Sequence, residues 1–151
     1  KNENAKEENN LINIVYESID KEGRKYIITA ETGNFKEEDP DLIYMTIVEA
    51  KIFLVDGSVI HINSLNAEYN TTVYDTKFYN NVKLNFLEHD IFCNNLNFFF
   101  KDNLIEAFDD LNYKNSDIIM FADKIEIDLL TKNSKIYNFN ENSVIIRNKI
   151  N

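Results

Sequence analysis

Apolar and polar residues alternate with a period of two along most of the chain, as they do in strands that bury one face. Residues 124–129 show the pattern most clearly, with three apolar residues alternating with three charged ones. The same alternation occurs in residues 26–30, 50–54 and 82–86. We therefore predict a half-buried strand at each of these places.

Short clusters of Asn, Asp and Gly separate the predicted strands roughly every 8 to 15 residues, as in sandwiches and jelly rolls. Asp56-Gly57 lies between two apolar runs and predicts a hairpin with a type I′ turn. Residues 103–112 carry apolar residues at helical spacing, but they continue the β-favouring run 96–100. We predict a strand there, with a single helical turn as the alternative. The fold class that these patterns indicate is all-β, with little or no helix.

Residues 1–10 differ from the rest of the chain, because they contain one Ala and no other apolar residue. No burial there offsets the entropy of ordering, so we predict a flexible polar tail. Residues 11–151 are predicted to form one domain, since a chain of this length can bury a sufficient core. The sequence contains no long apolar run and no export signal, and it begins at Lys1 rather than Met. We expect that an upstream segment is missing.

The charge and the reactive residues exclude several classes of function. A net charge of -10 with scattered lysines would repel a phosphate backbone, so nucleic acid is not an expected partner. His61 and His89 lie in different segments without further ligands at metal-binding spacing, so no metal site is predicted. Cys93 is expected to be a small buried hydrophobe. We find no nucleophile or phosphate-loop motif and predict a protein that is not an enzyme and needs no cofactor.

Three segments share a weak theme in which an apolar run is followed by Ala and an acidic or polar residue. They are residues 28–35, 62–70 and 120–128. Their irregular spacing favours hairpins of similar construction over a strict solenoid.

This theme resembles the LptC and LptA group of lipopolysaccharide-transport domains, also called OstA-like. Tyr79-Asn-Asn-Val-Lys-Leu84 stands where that group has a Gly-Asn-Val strand, with Asn80 in place of Gly. An opening hairpin, an Asp39-Pro40 turn, an apolar strand, Asp56-Gly57 and an Ala-Glu-Tyr unit follow one another in the order found in LptC. The resemblance covers residues 10–147.

The resemblance implies an open, twisted β-jelly roll of antiparallel strands in two facing sheets, whose inner face receives acyl chains. The sequence offers many large apolar residues for such an interior, among them Phe92, Phe98, Phe100 and Phe121. By strand alternation, the residues that we predict to face the lipid groove are Ile28, Ile52, Leu54, Ile60, Ile62, Val82, Leu84, Phe98, Phe100, Ile125 and Ile127.

The expected function is to receive lipopolysaccharide from an inner-membrane ABC transporter with LptF/LptG-like subunits and to pass it to an LptA-like bridge protein. Unpaired edge strands would join these partners by β-augmentation. Leu11, Ile12 and Val15 belong to the first predicted edge strand, and the last one contains Val144, Ile145 and Ile146. The resemblance also implies a periplasmic domain that is anchored to the inner membrane by an N-terminal helix missing from this chain.

Three alternatives stay open from the sequence. One is a soluble, LptA-like bridge protein. Another is a carbohydrate-binding jelly roll, in which Tyr69, Tyr74 and Tyr79 would form a flat stacking face. The third is a purely structural β-domain.

Overall fold

The computed structural model describes residues 10–139 and 145–148, and they form an all-β structure of antiparallel strands. The prediction of a jelly-roll-like fold with little or no helix is confirmed, and residues 103–112 contribute to a strand. Consecutive strands pair along one open sheet in the order β1 to β8, and β9 and β10 both pair with β8. The strands are β1 (Asn10–Ile19), β2 (Lys25–Lys36), β3 (Asp39–Phe53), β4 (Val59–Asn70), β5 (Thr76–Phe86), β6 (His89–Phe99), β7 (Leu104–Lys114), β8 (Ile118–Asp128), β9 (Ser134–Tyr137) and β10 (Ile145–Asn148).

An irregularity interrupts each of the eight long strands near its middle. The ladder shifts register between Asn63 and Asn66 in β4, and similar shifts interrupt β5, β6 and β7. These irregularities lie side by side and form a line across the sheet, which we call the crease. The residues on it are Asn13, Glu31, Ile47, Leu65, Asn80, Asn81, Asn94, Asp109, Asp110 and Asp123.

The crease changes which residues face inward. In β3 the buried positions run to Met45 and resume at Val48, a step of three rather than two. In β5 they run to Phe78 and resume at Val82, a step of four that keeps the parity but leaves Asn80 outside the buried face. An extra residue bends a strand and increases its twist, so a row of such sites folds the whole sheet.

The sheet therefore has two halves, which we call the first and second wings, and most strands contribute one end to each. The first wing contains β10 and residues 14–19, 25–30, 48–53, 59–63, 82–86, 89–93, 111–114 and 118–122. The second wing contains β9 and residues 10–12, 32–36, 39–46, 66–70, 76–79, 95–99, 104–108 and 124–128.

The wings pack face to face. Tyr26 in β2 and Phe98 in β6 lie on the same face of the sheet, and their ring centroids are 4.8 Å apart. Four strand spacings would separate these strands by about 19 Å in a flat sheet, so the sheet must fold with this face inside. The two facing layers expected from the sequence are thus halves of one continuous sheet rather than two separate sheets. Most strands run through the crease and contribute to both halves, which makes this possible.

Two turns differ from the sequence predictions. Gly57 has φ of +92°, but Asp56 does not adopt positive φ. A type I′ turn needs positive φ at both central residues, so the hairpin forms with a different turn. The amide of Gly57 donates to the carbonyl of Leu54, as in a type I turn followed by a glycine bulge. Asp39 and Pro40 begin β3 instead of forming the turn before it, and Pro is tolerated at a strand's start.

Residues 10–139 and 145–148 contain no helix that is long and apolar enough to cross a membrane. Residues 1–9, most of the predicted tail, lie outside the described residues, and Asn10 already begins β1.

Candidate functional site

All residues that the sequence predicts to line a groove lie on the inner face of the folded sheet. Ile28 and Ile62 are fully buried, and only Ile127 in this set is partly exposed. The alternation rule therefore assigns the faces correctly, because the predicted residues lie on one side or the other of the crease and not across it. Their lipid-binding role stays a prediction.

At one end of the molecule the two wings are in direct contact, and we call this the closed end. Tyr26 packs against Tyr69 and Phe98, and its hydroxyl group is hydrogen-bonded to that of Thr76 at 2.6 Å. Burial raises the pKa of Tyr26 far above its usual value, and it also raises the pKa of Tyr69. Arg24 covers this end and is itself buried, with its Nε donating to Asp20 at 2.6 Å. The closed end has no room for a ligand.

At the other end the wings separate and enclose a cavity of about 340 Å³, which lies in the size range of small-molecule sites. We call this the open end. Strands of both wings line the cavity, which places β8 and β9 opposite β3 and β4. The predicted groove residues that line it are Leu54, Ile60, Leu84, Ile125 and Ile127. The other predicted residues, Ile28, Ile52, Ile62, Val82, Phe98 and Phe100, are part of the core and do not line it.

Sequence reasoning missed several residues of the cavity. Met120, Tyr113 and Ile136 line it near the crease, and His89 and Lys132 line it farther away. Ile136 pairs with Ile125 across the β8–β9 ladder and is 44% exposed. Residues 134–137 do not alternate, so the sequence gave no signal for β9. Nothing in the sequence indicates which strands of the first wing face it.

The cavity is apolar near the crease and polar at its rim. Ile91, Met120 and Ile125 lie close to the crease in the strands that carry them. His89 and Lys132 lie beside turns at the outer ends of the wings, far from the crease. A molecule in this cavity would meet hydrogen-bonding groups only near the entrance.

A chain of hydrogen bonds at the rim runs from Asn115 through Tyr113 to His89. The Asn115 side-chain oxygen accepts from the amides of Asp117 and Ile118 at 2.8 and 2.9 Å, so its Nδ2 is the atom that donates to the Tyr113 hydroxyl at 3.0 Å. The Tyr113 proton is then free to donate to Nδ1 of His89, with which the hydroxyl is in contact. When the Tyr113 hydroxyl donates to Nδ1, neutral His89 carries its ring proton on Nε2.

The chain matches no protein-family model and no curated protein.

An ion pair between Asp56 and Lys132 joins the two wings beside the cavity. Asp56 is in the β3–β4 turn and Lys132 follows the end of β8, so the pair links the outer end of one wing to that of the other. The hydrogen bonds from Lys132 and Ser58 hold the pKa of Asp56 well below its usual range. Both side chains are about half exposed, and the pair is open to screening by salt.

A second group of charged residues holds β9 against β8. Tyr137 donates to Glu126 at 2.6 Å, and Lys124 lies 3.1 Å from Glu106 and 3.3 Å from Glu126. The hydrogen bond from Tyr137 lowers the pKa of Glu126. The contacts lie on the outer face, opposite the cavity, so they fasten the short strand without entering the site.

The edges of the sheet agree with the sequence only in part. β1 is an edge strand, in which Leu11 faces inward while Ile12 and Val15 face outward and are 76% and 64% exposed. At the other edge, β10 contains Ile145 and Ile146, and β9 lies beside it along β8. Val144 is outside the described residues. This edge is thus made of two short strands rather than the single one predicted.

Other candidate residues have plainer positions. His61 is exposed on the outer face, as predicted, and Cys93 is buried, which raises the pKa of its thiol to about 12. The described residues contain no group of His, Cys, Asp or Glu that could hold a metal.

Tyr69 is buried in the closed end, so it cannot form an exposed sugar-stacking face with Tyr74 and Tyr79. Phe92 and Phe121 face outward and not into the groove, since both lie on the opposite parity to the buried residues of their strands.

Proposed function

We propose that this protein binds and transfers the lipid part of lipopolysaccharide, as a periplasmic component of an export bridge similar to the LptC and LptA group. The observation that carries the proposal is the apolar cavity between the wings. It is open at the end where the sheet finishes in two short strands, and it lies on the inner face that the resemblance assigns to acyl chains.

The energetics of such a cavity favour acyl chains without any catalytic group. Each buried methylene contributes about 0.8 kcal/mol, so a short length of chain in contact with Leu84, Met120 and Ile127 is enough for measurable binding. A lipid held only by apolar contacts can also move on, because no strong polar bond must break before transfer. This combination suits a carrier better than an enzyme.

The two edges of the sheet support a role within a chain of similar domains. Among residues 10–139 and 145–148, no strand pairs with the outer side of β1 at the first edge or with the outer sides of β9 and β10 at the last. Unpaired strands recruit further strands through their free amide and carbonyl groups. In the proposed bridge, β1 pairs with periplasmic domains of the inner-membrane ABC transporter, and β10 pairs with an LptA-like protein. The domain is held at the inner membrane by an upstream helix.

Photo-crosslinking to lipopolysaccharide tests the proposal. A photoreactive residue is placed in turn at Leu54, Leu84 and Ile127, which line the cavity, and at Lys51 and Lys83, which are exposed on the outer face. We expect crosslinks from the first three positions only. Ile62 is unsuitable as a probe position, because it is enclosed in the core.

Each variant must keep the circular dichroism spectrum and unfolding midpoint of a folded protein for its result to be compared. Equal labelling of Lys51 and Leu54 would indicate adhesion of lipid micelles to the surface. That result, or no labelling at any position, would overturn the proposal.

A further inference from the structure

We infer that the cavity holds a single acyl chain, inserted with its tail toward the crease, and that the rim binds an anionic oxygen headgroup such as a carboxylate or phosphate. This inference rests on the proposed function and specifies the ligand of the same site. It is carried by the size of the cavity, by the change in polarity with depth, and by the hydrogen-bond donors at the rim.

The size of the cavity restricts the number of chains. A volume of about 340 Å³ is near the lower limit for small-molecule sites, which run from about 300 to 1,000 Å³. The lipid of lipopolysaccharide carries several acyl chains, so only one of them fits between the wings here. The remaining chains would require either a different protein or a wider opening of the wings.

The change in polarity with depth fixes the direction of insertion. Ile91, Met120 and Ile125 line the cavity near the crease, where a polar group would be buried without a partner. His89, Lys132 and Ser134 line it toward the outer ends of the wings, and Tyr113, which pairs with Ile91 and Met120, extends its hydroxyl group to His89. A buried polar headgroup without hydrogen bonds is costly, so an amphiphile enters with its tail first.

The available groups at the rim are donors. In the arrangement in which Tyr113 donates to Nδ1, neutral His89 carries its ring proton on Nε2, and this nitrogen has no partner among the described residues. Lys132 adds an ammonium group, which is shared with Asp56. Donors of this kind bind an oxygen acceptor, and a charged acceptor forms the stronger hydrogen bonds.

In this arrangement Tyr113 is a positioning residue. Its hydroxyl group connects Asn115, which is fixed by the β7–β8 turn, to Nδ1 of His89. Removing the hydroxyl while keeping the ring leaves the apolar lining intact. It removes the contact between the Tyr113 hydroxyl and Nδ1 of His89. The Tyr113→Phe variant therefore separates headgroup binding from tail binding.

Calorimetry with three ligands of equal tail length tests the inference: palmitate, 1-palmitoyl lysophosphatidate and the neutral 1-hexadecanol. We expect both anionic ligands to bind the wild-type protein at least tenfold more tightly than hexadecanol. In Tyr113→Phe we expect this preference to fall to about one third of its wild-type value, with the affinity for hexadecanol unchanged. Tyr79→Phe, which removes a hydroxyl group away from the cavity, serves as the matched control.

The ion pair provides an independent variant. Asp56→Asn releases Lys132 and is expected to raise the affinity for palmitate, whereas Lys132→Met is expected to lower it. Asp56→Asn should leave the affinity for hexadecanol unchanged, because Asp56 does not line the cavity. Palmitate and lysophosphatidate are compared in each variant, so a preference for one of them identifies the headgroup as carboxylate or phosphate.

A series of fatty acids checks the direction of insertion. The inner surface from Leu129 to Ile125 is about 13 Å long at the usual rise of a strand. Affinity should rise about fourfold for each added methylene, and it should level off when the tail reaches the crease. If the headgroup lay at the crease instead, the affinity would not level off at this tail length.

The possible failures are distinguishable. Equal affinity for the anionic and neutral ligands, or an equal loss for all three in Tyr113→Phe, would overturn the headgroup site and leave lipid binding in place. No binding of any of the three would overturn the single-chain inference. In that case the crosslinking to lipopolysaccharide, which does not depend on headgroup recognition, still decides the proposed function.

Discussion

The closed and open ends of this protein are built from the same strands, yet they differ in what lies between the wings. At the closed end, Tyr26 fills the space between the wings and contacts Tyr69 and Phe98 on the other side. At the open end, most of the facing residues are aliphatic, such as Leu84 and Ile127, and a cavity lies between the wings. Large aromatic side chains bridge the gap between facing layers and smaller ones leave it open. The difference indicates that tight packing is concentrated at one end of the sheet, whereas the proposed binding site is at the other.

The largest expected effect comes from truncating the same residue type at each end. Phe98→Ala removes a ring that is 2% exposed and should lower the free energy of unfolding by about 3–5 kcal/mol. Phe86→Ala removes a half-buried ring that lines the cavity, and we expect a loss of about 1 kcal/mol, because the ring contacts few atoms on its cavity side. Urea unfolding measures both values. Equal losses would show that the two ends are packed equally well.

Alkaline titration provides the second test, since the most deeply buried tyrosine is at the closed end. The raised pKa of Tyr26 means that the folded protein keeps a proton which the unfolded chain releases near pH 10. Stability is therefore complete below about pH 10 and falls above it, by up to about 1.4 kcal/mol per pH unit for this group.

The variant Tyr26→Phe should remove this part of the alkaline slope, and Tyr44→Phe, on the outer face, should leave it nearly unchanged. The measurement is the free energy of unfolding in urea between pH 8 and 11. A wild-type slope that persists in Tyr26→Phe would assign the alkaline instability to other groups.

The third test concerns the crease, which both ends share. Ile47 has φ of +54°, a conformation that is unfavourable for a β-branched residue, and its side chain is 52% exposed. Ile47→Gly should therefore stabilise the protein by about 1 kcal/mol. The adjacent crease residue Leu65 is 49% exposed without positive φ, so Leu65→Gly should destabilise the protein by a similar amount. Thermal unfolding of the two variants would show changes of opposite sign, and a loss in both would show that the crease stores no strain at Ile47.

The smallest effect on stability is expected at the solvent-exposed Asp56–Lys132 pair. The pair is exposed, so Lys132→Met should change the free energy of unfolding by less than about 1 kcal/mol. Hydrogen exchange at the amides of β9 should nevertheless become faster, because the β8–β9 turn loses its link to the other wing. Lys101→Met, in an exposed turn of the closed end, is the control. Unchanged exchange in β9 would show that its pairing with β8 is sufficient to hold it.

The sequence predicted the strands and their buried faces because alternation is a local property. Ile28 and Ile62 were placed correctly for this reason, and neither depends on how the wings meet. The crease was not predicted, although the weak repeat marks it: Ala30-Glu31 and Ala122-Asp123 both lie at the point where their strand changes parity. Asn80 also fits this view, since its φ of +66° is one that Gly and Asn adopt readily.

The sequence does not show which residues of the inner face line the cavity and which belong to the packed core. Ile62 and Leu84 are cross-strand neighbours, and yet only Leu84 lines the cavity. Which of them does so depends on the displacement of one wing against the other, and that follows from the twist accumulated over many strands. The position of His89 at the rim was also missed, because its contact with Tyr113 depends on the register of the β6–β7 pair.

The consecutive pairing of the strands also has a consequence for how the chain folds. From β1 to β8 each strand joins the one before it through a short turn, so each pairing closes only a small loop. Such local pairings are kinetically favourable, and we expect hairpins to be added one after another along the chain. In the described part of the chain, β10 is the strand that bypasses its predecessor to reach its partner. We therefore expect the edge beside the open end to form last during folding and to separate first during unfolding.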